Sequence, residues 1–89
     1  MEDKNTTNRL VLYRKRMRLS QKQVAAILGL RNASILSNYE RGTSRPSLER
    51  ALALETIYRV PVAFLFPELY ERIRARVREK ESRIPRRHK

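Results

Sequence analysis

The chain has 89 residues, enough for one domain with a single core. It lacks cysteine, which excludes disulfides and a thiolate zinc finger, and its one histidine, His88, cannot build a metal site alone. Twenty-one Lys and Arg stand against nine acids, a formal charge of +12 that draws polyanions, nucleic acid first and anionic membrane second.

Two Gly and four Pro leave little material for hairpins, and apolar residues recur every three or four positions, so the expected class is all-α. Residues 1–6 are expected to be disordered. Thr7 or Asn8 caps a first helix that reaches about Arg18, with Leu10, Tyr13 and Met17 on one face. Ser20 and Gln23 then form an S-x-x-Q capping box, in which each side chain satisfies the other residue's backbone N–H. Val24, Ala25, Ile27 and Leu28 supply the apolar face of this second helix, and Gly29 ends it in the left-handed conformation. Asn32 is the expected N-cap of a third helix over residues 33–41, with Ile35, Leu36 and Tyr39 facing inward and Gly42 closing it. Pro46 opens a fourth helix carrying Leu48, Ala51, Leu52, Leu54 and Tyr58. Pro61 starts a short fifth helix with Val62, Leu65 and Phe66.

Pro67 interrupts the pattern. Beyond it a basic helix is expected to about residue 83, followed by a basic tail over 84–89. Leu69, Ile73 and Val77 recur every four residues and make a narrow stripe among Arg72, Arg74, Arg76 and Arg78. Three readings of this segment stand: a solvated helix, added non-specific affinity for DNA, or an apolar stripe that packs on the domain or joins two subunits.

Residues 19–42 thus read as two short capped helices joined by a glycine turn, the second rich in Asn, Ser and Arg, which is how small basic proteins present side chains to a DNA groove. The chain resembles the Cro/repressor-type, or XRE-like, helix-turn-helix family over residues 10–66. The resemblance is carried by Tyr13-Arg14, Leu19-Ser20-Gln21, Val24-Ala25, Leu28-Gly29, Tyr39-Glu40-Arg41-Gly42, Pro46-Ser47-Leu48-Glu49 and Leu65-Phe66. It implies a compact five-helix, lambda-repressor-like domain over residues 7–66, here with an additional C-terminal helix over 67–83, that binds operator DNA as a homodimer. Three departures stand out. The turn after Gly29 is one residue longer near Arg31. Arg18 occupies a place where Gly often ends the first helix, at ~1 kcal/mol if the backbone is left-handed there. Glu55 falls where the family prefers a small buried residue, so it lies at the rim or pairs with an Arg.

In a recognition helix the N-terminal side chains face base edges. Asn32, Ala33, Ser34, Ser37 and Asn38 lie on or near that face. Asn38 is the candidate for direct readout, since an amide can bond an adenine edge through two hydrogen bonds. Ser34 can donate or accept, and the Ala33 methyl suits a thymine methyl. Asn32 either caps the helix or contacts DNA, and Arg31 either reaches a phosphate or a guanine or stays solvated. Gln21 resembles the family's phosphate-clamping glutamine, at a helix start whose free N–H groups favour an anion. Thr43, Ser44 and Arg45 are candidates for backbone contacts that set register rather than sequence choice. Arg14 and Glu40 match a structural ion pair of the family that links the first and third helices.

Enzymatic chemistry is not expected: a nucleophile, base and orienting group cannot be assembled from these residues. Neither a cofactor nor a metal is implied. No apolar run approaches the ~18 residues of a membrane span, and the opening MEDKNTTNR lacks a signal peptide's apolar stretch. The expectation is a cytoplasmic, nucleoid-associated DNA-binding regulator, a repressor rather than an activator. The alternative is the antitoxin of a toxin–antitoxin pair, with residues 68–83 as the only segment available for a toxin partner.

Overall fold

The structure, a computed structural model, describes residues 8–85. The expected disorder of residues 1–6, the Thr7 cap, and the end of the basic tail with His88 lie outside the described residues. Six helices follow one another: α1 (Leu10–Arg16), α2 (Gln21–Ile27), α3 (Ser34–Arg41), α4 (Leu48–Tyr58), α5 (Val62–Leu65) and α6 (Pro67–Glu81). Among the described residues there is no strand.

Local signals set most of the helix ends. Arg9 takes the N-cap position of α1, and Asn8 before it ties the helix start down: its Oδ1 accepts from the Leu10 N–H at 3.0 Å, and its Nδ2 donates to the Tyr39 carbonyl of α3 at 2.9 Å. α1 is shorter than expected, because Arg18 takes φ 60° and turns the chain. The Arg18 and Leu19 N–H groups then donate back to the carbonyls of Lys15 and Arg14, at 3.0 and 3.2 Å. The capping box of α2 forms as expected, with Gln23 N–H on Ser20 Oγ at 3.0 Å and Ser20 N–H on Gln23 Oε1 at 2.8 Å. Pro46 does not open α4. Ser47 caps that helix through its hydroxyl, which accepts from the Arg50 N–H at 3.2 Å, so Pro46 precedes the cap. Pro67 is itself the first residue of α6, where its missing N–H has no partner to lose.

The core gathers Leu10, Val24, Leu36, Tyr39, Leu54, Tyr58 and Leu65, one or two residues from each of α1 to α5. Burial of each such Leu is worth about 1.5–3 kcal/mol relative to exposure. Tyr13, Met17, Leu19, Leu28 and Phe66 pack against it. Two contacts close the ring of helices: the Arg9 N–H donates to the Leu65 carbonyl at 2.9 Å, and Arg50 Nη1 donates to Tyr39 Oη at 3.1 Å.

Ile27 and Ile35, expected on inner faces, are exposed, as are Leu48 and Leu52 among the apolar residues of α4. Ile27 is 59% exposed and Leu48 75%. The inner stripe of α2 runs through Val24, Ala25 and Leu28, and Ile27 lies about 100° around the helix from its centre. In α3 the buried Leu36, Tyr39 and Glu40 define the inner face and leave Ile35 on the flank. Leu48 begins α4 before the helix reaches the core. Glu55 is half-buried, as a rim position allows, and forms no ion pair with an Arg among the described residues. Its Oε1 accepts from the Val62 N–H at 2.9 Å and caps α5 across the connection.

α6 is about 22 Å long by its residue count. Leu69 is half-buried beside α5, but no residue of α6 is fully buried. Tyr70, Ile73, Val77 and the following Ile84 remain exposed.

Candidate nucleic-acid interface

The interface is built on the turn between α2 and α3. The Gly29 N–H donates to the Ala26 carbonyl at 3.0 Å and the Leu30 N–H to the Ala25 carbonyl at 2.9 Å. This reversal needs Gly29 at φ +79°, while a Cβ there would meet nothing within 4 Å. The demand is therefore on the backbone and not on space. Residues 30–33 then lead into α3, which begins at Ser34, one residue later than expected. The N-cap position passes from the expected Asn32 to Ala33, and Asn32, one residue further out, accepts the Ser34 N–H through Oδ1 at 2.9 Å. Arg31 and Asn32 are exposed, and Ala33 is half-buried.

Because Leu36, Tyr39 and Glu40 turn inward, Ser34, Ser37, Asn38 and Arg41 fall together on the outer side of α3. Arg41 folds back over the last turn. Its Nη1 donates to Ser37 Oγ at 2.8 Å and its Nη2 to Asn38 Oδ1 at 2.5 Å. Thr43 closes the helix: its N–H and its hydroxyl both donate to the Asn38 carbonyl, at 3.0 and 3.2 Å.

At the start of α2, Gln21 is half-buried, and Nε2 donates to Glu40 Oε1 at 2.7 Å. One amide N–H remains for an outside acceptor. Lys22 shares a shallow depression with Arg31, Asn32 and Ala33. Ser44 and Arg45 are exposed beyond α3. Arg45 also borders an apolar groove formed with Pro46, Phe66, Leu69, Tyr70 and Ile73.

Behind this surface, Arg14 and Glu40 form a buried ion pair. Arg14 Nε and Nη2 donate to the two carboxylate oxygens at 2.7 and 3.3 Å, and Nη1 donates to the Leu19 carbonyl at 3.1 Å. The Tyr58 hydroxyl is buried without a hydrogen-bond partner among the described residues. Its phenol pKa is pushed up, mainly by burial and further by the Glu40 carboxylate, with Arg14 opposing.

Two residues join the expected set. Arg41 stands seven residues after Ser34 and shares its face, a spacing that was readable in the chain. Lys22 directly follows Gln21 at the same helix start. Among the described residues no helix is long and apolar enough to cross a membrane, and no group of three or more His, Cys, Asp or Glu could hold a metal ion.

A family model described as Helix-turn-helix matches residues 10–65. The chain therefore belongs to the family of XRE/Cro-type helix-turn-helix regulators, DNA-binding proteins with the lambda-repressor-like all-α fold. No curated protein and no solved structure gives a significant match.

Proposed function

We propose that this protein is a sequence-specific repressor that binds a palindromic operator as a homodimer and acts by occluding a promoter. The observation that carries the reading is the outer side of α3, where Ser34, Ser37, Asn38 and Arg41 form one polar strip. Cations at Lys22, Arg31 and Arg45 flank it. In this account α3 enters the major groove. Ser34, Ser37 and Asn38 meet base edges, with the Ala33 methyl and Asn32 beside them. Gln21, Arg31, Ser44 and Arg45 hold phosphates and set register, while both donors of Thr43 are taken by the Asn38 carbonyl. Gln21 does so through its remaining amide N–H and the free N–H groups of the α2 start. The protein acts in the cytoplasm, at the nucleoid.

The exposed stripe of α6 joins the two subunits. Ile73 and Val77, each 45% exposed, lie outside the core cluster of the described residues. The same exposure is what favours a second reading, an antitoxin whose α6 docks a toxin. Co-expression with the product of a neighbouring gene separates the two: a stable complex that needs Ile73 and Val77 supports the antitoxin. For the operator itself, selection of duplexes from a random pool should return an inverted repeat. Its half-sites should lie about one helical turn apart, roughly 34 Å. Retention of all sequences alike would reject the proposal.

A further inference from the structure

The outer side of α3 carries a constraint that the residue types alone do not express. Long helical side chains lean toward the helix N-terminus, and Arg41, at the last position of α3, lies back across Ser37 and Asn38. A guanidinium has five N–H donors and no acceptor. It therefore dictates which end of the Asn38 amide faces it: Oδ1 turns toward Arg41, and Nδ2 turns away. Ser37 Oγ is likewise an acceptor for Arg41, which leaves its hydroxyl hydrogen free to point outward. Arg41 forms no ion pair among the described residues. The adjacent Glu40 is turned inward and bonded to Arg14 and Gln21.

The trio therefore offers donors to anything approaching from outside: the remaining Arg41 N–H groups, the Asn38 amide N–H and the Ser37 hydroxyl. Adenine presents an acceptor at N7 beside a donor at N6, whereas guanine presents acceptors at both N7 and O6. Asn38 Oδ1 keeps a second lone pair, but an adenine amino group reaching for it meets a cation that can only donate. We infer that Arg41 is a specificity-determining residue, which converts Asn38 from an adenine reader into part of a donor-only pair that reads guanine. This rests on the DNA-binding reading of α3 given above.

The test is duplex selection from a random pool with wild-type protein, Asn38→Ala, Arg41→Ala and Arg41→Lys, each checked for folding by thermal melting. Wild type should select guanine at one position per half-site, by roughly tenfold or more over adenine. Asn38→Ala should relax that same position. Arg41→Ala should shift it to adenine, because the freed amide again shows acceptor and donor side by side. Arg41→Lys keeps the charge but loses the fork, so guanine preference should fall there while affinity for unrelated duplex holds, which a phosphate contact would not give. Adenine in the wild-type motif at the position that Asn38→Ala relaxes would overturn the inference and leave the DNA-binding reading intact. So would an Arg41→Ala motif identical to wild type. A wild-type protein with no sequence preference would overturn both.

Discussion

Arg14 Nε and Glu40 Oε2 lie 2.7 Å apart with their side chains 12% and 3% exposed, so an ion pair fastens α1 to α3 from inside the domain. Glu40 accepts from Gln21 as well, which links the start of α2 to the same carboxylate. The angle at which α3 meets its surroundings is thus held by charge-assisted bonds to both preceding helices. Replacing Arg14 with Ala leaves a buried carboxylate without its counter-charge, at a cost of about 3–5 kcal/mol. A domain of this size has about 5–15 kcal/mol in all. Thermal or urea unfolding should show a large loss, and an Arg14→Ala protein that unfolds with wild type would contradict a structural role for the pair.

Gln21 touches both the core and the proposed phosphate surface. Gln21→Ala should lower the melting temperature through the lost bond to Glu40, worth about 1.5–3 kcal/mol for a charged partner. It should also weaken binding to every duplex by a similar factor. Comparison of selected motifs and melting curves checks both effects. A changed motif would mean that Gln21 reads bases instead of holding the backbone.

Tyr58 makes stability sensitive to alkaline pH. Its folded-state pKa is raised above the unfolded value near 10. The stability that comes from keeping it protonated is therefore fully present below about pH 10. As pH rises beyond that, the unfolded phenol ionises first and stability falls by up to about 1.4 kcal/mol per pH unit. Tyr58→Phe should remove this part of the alkaline decline. At pH 7 it should cost little, since the hydroxyl it deletes has no hydrogen-bond partner among the described residues. Parallel pH–stability curves for the two proteins above pH 10 would refute the assignment.

Cutting the chain after Pro67 should leave a cooperatively folding unit, because every core residue precedes Phe66. The removed residues 68–89 hold nine Lys and Arg against four acids, so affinity for any duplex should drop. Sedimentation should report a monomer in place of a dimer if α6 joins the subunits. Retention of the dimer with lower stability would show instead that α6 serves its own domain, and unfolding would make it part of the core.

What the chain revealed on its own was local. The Ser20–Gln23 capping box and the turn at Gly29 follow from short spacings, whereas the left-handed Arg18 and the Arg14–Glu40 pair, 26 residues apart, were expected only from the resemblance to the family. The inner faces were less legible. A helix of seven or eight residues makes only two turns, so Ile27 and Ile35 fit the periodicity nearly as well as their buried neighbours, and only tertiary packing decides. Glu55 finds its partner on the next helix, which no spacing within α4 announces. In the site, the helical wheel places Ser34, Ser37 and Asn38 together. The fold-back of Arg41 depends on its rotamer and appears only in three dimensions.

The central claim is that α3 chooses among sequences rather than binding DNA by charge alone. Its most direct test is a competition titration of the selected duplex against a scrambled one, over a range of salt. The account predicts at least about a thousandfold preference for the selected duplex at physiological salt. It also predicts that log K falls with log salt at a slope of roughly −7 to −9, for a dimer holding four or five phosphates per half-site. Equal affinity for the two duplexes at every salt concentration would contradict it.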